Sequence, residues 1–361
     1  MTISPLRVIQ LTPPGRGAIA TLRVEGPTAA EIVESYFRVS GKQPLSASPI
    51  DRILFGHFGP GPGEEVIARR CSDGSIEIHC HGGHAAMTRI ESMLVAAGCQ
   101  SVSWQSWAAN SHDDPIAAAA LDCLAQARTE RTAAILLDQY HSALRHALNN
   151  IQQAIDRGEK DSARQQIDIL LARATLGRHL VQPWRVVLGG TVNVGKSSLI
   201  NALVGYGRSI VHNAPGTTRD AVTAATAIDG WPIELCDTAG LHAGGNDVEL
   251  AGIQLAKQRL AQADLVVLVF DYSVPWSNED QALLDQWPHA FVVHNKCDLP
   301  PMSNTRPAGL IVSAIEGHGL AELLAGISSR LVLNSPPSGA AVPFNDQQVE
   351  MIRRLSAAVE I

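Results

Sequence analysis

One short stretch constrains the fold of this chain more than any other. Residues 190–197 read G-T-V-N-V-G-K-S, between the apolar, strand-like residues 185–188 and the helical pattern of residues 198–203. In such a strand–loop–helix unit, glycines let backbone N–H groups close around phosphates, the lysine reaches the β- and γ-phosphates, and the hydroxyl binds Mg²⁺. A glycine-rich turn with a chance lysine is the alternative, but only five residues of the whole chain are lysine. We therefore predict a phosphate-binding loop, with Lys196 on the phosphates and Ser197 on Mg²⁺.

A second motif predicts which base accompanies those phosphates. Asn295-Lys296-Cys297-Asp298 follows an apolar strand, at the position where open α/β sheets bind ligands. The carboxylate of Asp298 can accept from N1–H and the 2-amino group of guanine, a donor pair that adenine lacks. We expect Asn295 to bond the base edge and the loop, and the stem of Lys296 to pack on the ring face. Ser313-Ala314 also follows an apolar strand and is predicted to close over the base.

Two stretches between these motifs indicate phosphate sensing. In Asp237-Thr238-Ala239-Gly240, Asp237 would hold Mg²⁺ through water and the N–H of Gly240 would sense the γ-phosphate. Residues 215–220 read P-G-T-T-R-D, and Thr218 could complete the Mg²⁺ coordination only while GTP is bound. The predicted Mg²⁺ ligands are Ser197, Thr218 and Asp237. The predicted nucleotide-binding residues are Asn193, Val194, Gly195, Lys196, Ser197, Ser198, Asp237, Gly240, Asn295, Lys296, Asp298, Ser313 and Ala314.

The whole chain divides by its pattern into four parts. Residues 1–110 alternate strand-like and helical stretches, which predicts a small α/β domain. Residues 111–182 are helical, with a break near Arg157-Gly158, and residues 183–335 alternate strands with helices, which predicts a mostly parallel sheet. Residues 336–361 are a linker and a final amphipathic helix. The predicted fold class is α/β, with a P-loop domain, a helical domain and a small N-terminal α/β domain.

Composition excludes several classes of protein. Hydrophobic residues make up 45% and charged residues 17% of the 361 residues, which is typical of a globular chain. The formal net charge of −7 argues against coating nucleic acid through bulk charge. Six dispersed cysteines without a C-x-x-C pair predict reduced thiols and a cytoplasmic location. The longest strongly apolar run, residues 265–270, is too short to cross a bilayer, so no membrane association is expected.

Taken together, the motifs resemble the translation-factor-related GTPases, and in particular the MnmE (TrmE) family of tRNA-modification GTPases. The resemblance rests on residues 190–203, on G-T-T-R-D at 216–220, on D-T-A-G-L at 237–241 and on T-P-P-G-R-G at 12–17. It also rests on the order of domains. In that family a P-loop GTPase domain is inserted in the helical domain, and a C-terminal helix returns to it.

The resemblance implies a K⁺-stimulated GTPase that needs no arginine finger. Asn193, with Gly216 and Thr217, would hold K⁺, and Glu249 would organise the attacking water. Leu241 stands where other GTPases carry a water-orienting glutamine, so a cation beside the phosphates would supply the missing charge. A variable loop position for Asn193 and an exposed helix carboxylate for Glu249 are the alternatives. The catalytic residues implied are Glu249, Lys196 and Gly240.

The family also implies partners: GTP and GDP, a second copy in a homodimer, tRNA, and an FAD-dependent modification partner. No cysteine follows Cys297, so we expect a shortened or divergent member without the family's C-terminal Cys-x-Gly-Lys tail. Binding of a one-carbon folate stays open, because Cys71-Ser72-Asp73-Gly74 replaces the family's Thr-Gly-Glu-Asp stretch. Two functions are consistent with the sequence: GTP hydrolysis in tRNA wobble-uridine modification, and a GTP-dependent regulatory or assembly switch that has lost the modification chemistry.

Two N-terminal features carry weaker signals. His79, Cys80, His81 and His84 suggest a metal site, but alternate residues of a strand face opposite ways, so a strand running into a Gly-Gly helix start is preferred. Arg16 lies in a proline–glycine turn. It would either bind an anion, such as a folate carboxylate or a partner surface, or stabilise the turn.

Overall fold

The structure, a computed structural model, describes residues 5–12, 17–41, 43–111, 114–206, 223–237, 262–301 and 306–360. The chain divides into two compact units, Met1–Ala118 and Ala119–Ile361. The four-part division expected from the sequence is finer than these two units and stays a prediction.

The first unit is built on a seven-stranded sheet. Its elements are β1 (Arg7–Gln10), β2 (Ile19–Glu25), α1 (Ala29–Tyr36), β3 (Phe37–Val39), β4 (Leu54–Phe58), β5 (Glu64–Arg70), β6 (Ile76–His81), α2 (His84–Ala96), β7 (Gln100–Val102) and α3 (Trp104–Ser111). The strands lie in the order β3-β4-β5-β6-β2-β1-β7. Neighbours are antiparallel, except that β7 runs parallel to β1. This is the small α/β fold that the alternating pattern predicted.

Alternation along the strands decides which face of this sheet becomes the core. Leu22 and Val24 of β2 are fully buried with Ile78 of β6, in one cluster with residues of α1 and α2. The intervening residues of the same strands, such as Arg23 and Thr21, are polar and partly exposed. One face of the sheet is therefore apolar and packs against helices, and the other face, which carries charged, polar and some apolar side chains, is partly exposed.

The second unit contains a helical bundle. Its helices are α4 (Pro115–Gln126, which begins before the unit boundary), α5 (Glu130–Tyr140), α6 (Ala143–Asp156), α7 (Lys160–Ala172), α8 (Ala174–Arg178) and the last helix of the chain, α12 (Asp346–Glu360). The break expected near Arg157 is present, since Gly158 takes a φ of +77° between α6 and α7. The helix α12 packs against α7 and α6. The chain therefore returns to the bundle after the region that follows α8.

That intervening region is a six-stranded, mostly parallel sheet with helices. Its elements are β8 (Trp184–Gly189), α9 (Lys196–Tyr206), β9 (Thr223–Ile228), β10 (Trp231–Asp237), β11 (Leu265–Asp271), α10 (Asn278–Gln286), β12 (Phe291–Asn295), β13 (Leu310–Ile311) and α11 (Leu320–Leu331). The order is β13-β12-β11-β8-β10-β9, and within it β9 alone pairs antiparallel. The predicted P-loop fold, inserted in a helical domain, is confirmed. Over the described residues, no helix combines the length and apolar character that a bilayer crossing requires.

Candidate nucleotide-binding site

Three strands of the second sheet end where the predicted motifs begin. The loop of residues 190–195 follows β8, Asp237 is the last residue of β10, and Asn295 is the last residue of β12. These three strands run parallel within one sheet, so their carboxyl ends share an edge. Open parallel sheets bind ligands at this edge. The topology therefore brings the phosphate and base motifs together.

Two glycines of the loop are required for close approach as well as for their backbone angles. A Cβ on Gly190, at φ +145°, would lie 2.2 Å from the carbonyl oxygen of Val269. A Cβ on Gly195, at φ +92°, would lie 2.4 Å from Nδ2 of Asn295. Between them Asn193 takes a φ of +65°, which asparagine tolerates better than most residues. The loop thus has a tightly determined path.

The ammonium of Lys196 turns back onto this loop. Its Nζ donates to the carbonyl oxygens of Gly190 and Thr191 at 2.9 and 2.8 Å. Burial lowers the pKa of Lys196 below its ordinary value, and the charge of Asp237 offsets part of that effect. A buried ammonium bonded to two carbonyls at the loop mouth can exchange them for phosphate oxygens, which are stronger acceptors.

The two predicted Mg²⁺ ligands within the described residues are in direct contact. Oγ of Ser197 donates to Oδ2 of Asp237 at 2.5 Å, and Asp237 is buried. A hydroxyl and a carboxylate are the hard oxygen donors that Mg²⁺ prefers, so the pair fits the ion that accompanies GTP. The third predicted ligand, Thr218, lies outside the described residues.

Asn295 links the phosphate-binding loop to the loop predicted to cover the base. Its Nδ2 donates to the carbonyl oxygen of Val194 at 2.9 Å, and its Oδ1 accepts from the backbone N–H of Ala314 at 3.1 Å. The side chain is almost fully buried. Both ends of the amide are therefore engaged within the protein. A direct bond from Asn295 to the base edge stays a prediction.

Asp298, the predicted reader of guanine, is oriented by a buried serine. Oγ of Ser313 donates to Oδ1 of Asp298 at 2.5 Å and accepts from the backbone N–H of Glu316 at 3.1 Å. Ser313 is fully buried, so its hydroxyl has a fixed environment. The loop predicted to close over the base therefore also positions the carboxylate that would recognise the base.

Lys296 has a partner that the motifs do not indicate. Its Nζ donates to Oδ2 of Asp271, the last residue of β11, at 2.6 Å. Burial opposes ionisation of Asp271, but hydrogen bonds from Lys296 and Ser273 outweigh it and hold the pKa of the carboxyl below its ordinary value. The sequence signal that could have found Asp271 is a single aspartate ending an otherwise apolar strand.

Several predicted residues lie outside the part of the chain that the structure describes. They are Arg16, Gly216, Thr217, Thr218, Gly240 and Glu249. Two other predicted residues are within the described part and are exposed: Asn193 in the phosphate-binding loop, and Ser198 in the first turn of α9. The K⁺ and water-positioning roles of the undescribed residues stay predictions.

In the histidine-rich strand of the first unit, His79 and His81 have different hydrogen-bond partners. Nδ1 of His79 lies 2.9 Å from Oγ1 of Thr21, and Nδ1 of His81 lies 2.9 Å from Oε1 of Glu64. Cys80 points into the core, where burial raises the pKa of its thiol to about 11. Within the described ranges, no group of three or more His, Cys, Asp or Glu side chains is arranged to hold a metal ion.

Comparisons with known proteins found a matching family model, relatives and solved structures that are similar to this chain. A family model described as 50S ribosome-binding GTPase matches residues 185–296. The tRNA modification GTPase MnmE of a Synechococcus species is 32% identical over 399 residues, covering 96% of this chain and 84% of that protein. The protein of the same name from Geobacillus thermodenitrificans is 32% identical over 332 residues, covering 80% and 72%. Among solved structures, the G domain of the T. maritima FeoB iron transporter is 28% identical, covering 41% of this chain and 99% of that one, with a TM-score of 0.30.

Proposed function

This chain belongs to the MnmE family of tRNA modification GTPases and is a GTP-hydrolysing enzyme, and we propose that K⁺ stimulates its GTP hydrolysis, which serves the modification of wobble uridine in tRNA. One observation supports the binding of GTP above all others. The phosphate-binding loop, the Ser197–Asp237 pair and the base motif meet at one sheet edge, and Asn295 bonds the first to the last. Such an edge can hold both ends of one nucleotide.

Phosphoryl transfer depends on holding and neutralising the phosphates, and three described residues suit that task. Lys196 presents a buried ammonium at the mouth of the loop, and Ser197 and Asp237 present adjacent oxygen donors. Mg²⁺ bound there would neutralise charge on the phosphate oxygens. The chain itself would keep the phosphates in line through Lys196 and the backbone N–H groups of the loop.

The K⁺ proposal rests on Asn193. Asn193 is exposed, and its backbone takes a φ of +65° within the loop, so its side chain is free of the core and can supply an oxygen to a cation. K⁺ held there with the carbonyls of Gly216 and Thr217 would add positive charge beside the β–γ bridging oxygen, a task worth about 10³–10⁵ in rate when an arginine performs it. Glu249 would orient the attacking water.

GTP turnover by the purified protein in KCl and in NaCl tests this proposal. We expect turnover about tenfold or more faster in KCl, and Asn193→Ala to abolish the difference. Val192→Ala is the control. It shortens a neighbouring exposed side chain of the same loop that has no oxygen atom, so this variant should keep the K⁺ preference. Glu249→Ala should lower kcat by about 100-fold and leave GTP affinity nearly intact. Equal rates in both salts would refute the K⁺ role.

The proposed role in tRNA modification is tested separately. Together with an FAD-dependent modification partner, the purified protein should convert wobble uridine in unmodified tRNA, and Lys196→Ala should not. If no modified uridine forms although the partner is active and GTP is hydrolysed, a GTP-dependent switch is the better description of the function. The same preparations test whether a one-carbon folate is the donor, through omission of the folate.

We also propose a homodimer, in which the N-terminal domains associate constitutively and the G domains pair when GTP is bound. This proposal comes from the family. Light scattering should give a dimer mass with GDP, and small-angle scattering should show a more compact particle with a mimic of the transition state. A monomer in both nucleotide states would exclude it.

A further inference from the structure

Asp271 ends β11 beside the strand that carries the base motif. In the parallel register of β11 and β12, Asp271 is the partner of Asn295. Its Oδ2 accepts from Nζ of Lys296 at 2.6 Å, and its Oδ1 accepts from the backbone N–H and the hydroxyl of Ser273 at 2.9 and 2.6 Å. Both oxygens of this carboxylate are therefore used, and its orientation is determined.

The position of Lys296 explains what such a partner can do. Its backbone takes a φ of +70°, so the chain leaves β12 at this residue while the side chain reaches across to the end of β11. The four methylenes of the stem lie between these two points, and the side chain is 28% exposed. A lysine stem held at both ends is an apolar surface with little freedom left to lose.

We propose that Asp271 is a positioning residue for guanine-nucleotide binding, which holds the stem of Lys296 as the surface on which the base stacks. The inference rests on the proposed guanine site at Asp298. Asp271 would act through Lys296 alone and touch no part of the nucleotide. A plain ion pair at a partly exposed position would have almost no effect on ligand binding.

Steady-state kinetics of Asp271→Asn in the full chain distinguish the two roles. The variant keeps the size of the side chain and removes its charge. We expect KM for GTP to rise about tenfold with kcat unchanged, because stacking is equally strong in the ground and transition states. Affinities for GDP and for inosine diphosphate should fall by the same factor, and affinity for tripolyphosphate should not change. Ser273→Ala is the matched control, since it removes one bond to Asp271 and leaves the bond to Lys296.

A double-mutant cycle shows whether the effect passes through Lys296. Lys296→Met keeps an apolar stem and removes the ammonium, so adding Asp271→Asn to it should cause no further loss of GDP affinity. A full additional loss, or an equal loss of tripolyphosphate affinity, would overturn the proposal. Asp298→Asn tests the guanine site itself. If that variant gains affinity for xanthosine nucleotides while Asp271→Asn has no effect, the guanine site is correct and the positioning role of Asp271 is wrong.

Discussion

The amide of Asn295 donates a 2.9 Å hydrogen bond to the carbonyl oxygen of Val194, and so joins two nucleotide-binding motifs that lie 101 residues apart. The bond passes directly over Gly195, where a Cβ would come within 2.4 Å of Nδ2. The phosphate-binding loop therefore takes its path partly from a residue of the base motif, and the requirement for glycine at position 195 comes from this side chain as well as from φ.

Gly195→Ala should break this link. The new methyl group would meet Nδ2 of Asn295 at an unfavourable φ of +92°, so we expect GDP affinity to fall and the free energy of unfolding to drop by about 1–3 kcal/mol. Calorimetric GDP titration and urea unfolding measure the two effects. Gly205→Ala is the control, because that glycine lies in α9 with open space around its Cβ position. Equal behaviour of the two variants would show that the link is dispensable.

Asp298→Asn should change the base preference of the site from guanine to xanthine. The amide would offer a donor to the 2-oxo group of xanthine and would leave the guanine donors without a charged acceptor, so GDP affinity should fall by about 100-fold or more. Competition against a labelled nucleotide measures the change. Asp285→Asn, an exposed carboxylate on α10, should leave the preference as it is. Displacement of GDP by ATP as readily as by GTP in the parent protein would refute the assignment of the base.

Arg131 connects the helical bundle to the hairpin between β9 and β10. Its guanidinium donates to both carboxylate oxygens of Asp229 at 3.3 Å and lies over the ring of Trp231, 5.2 Å from the ring centroid. Arg131→Ala should lower the free energy of unfolding by about 1 kcal/mol, the scale of one partly exposed ion pair with a cation–π contact. Arg131→Lys should recover only part of that loss, because lysine lacks the planar fork. Full recovery in urea unfolding would mean that charge alone matters.

Glu77 should make the first unit sensitive to acid. Burial opposes its ionisation, but hydrogen bonds and charge from Arg69 and Arg23 outweigh that and hold its pKa below the ordinary 4.5. A carboxyl whose pKa is lowered by folding stabilises the protein above its unfolded pKa, and this contribution is lost as the pH falls from 4.5 through the folded value.

Urea unfolding at about pH 6 and about pH 3 checks this assignment. Glu77→Gln should lose less stability than the parent protein between the two, because the titrating carboxylate is gone. Glu65→Gln removes an exposed carboxylate of the same sheet and should keep the parent's pH dependence. If the Glu77→Gln variant is as sensitive to acid as the parent protein, the loss of stability comes from other groups.

The local motifs could be predicted from the sequence because their chemistry is contiguous. The path of residues 190–197 depends on glycine angles and a helix start, and Asn295-Lys296-Cys297-Asp298 needs only a preceding buried strand. Strand alternation in β2 and β6 and the helix break at Gly158 are equally local. The predicted α/β fold, the inserted P-loop domain and the family all follow from features of this kind.

Which side chains meet depends on how the strands are arranged in the sheet. β8 lies between β11 and β10, an order that no local pattern contains. That order places Ser197 against Asp237, Asn295 against Val194 and Lys296 against Asp271, pairs separated by 40, 101 and 25 residues. Each pair depends on the register of parallel strands, which is set by packing of the whole sheet and not by the residues flanking each motif. The motifs supply the chemical groups of the site, and the packing of the sheet sets which partners hold those groups in place.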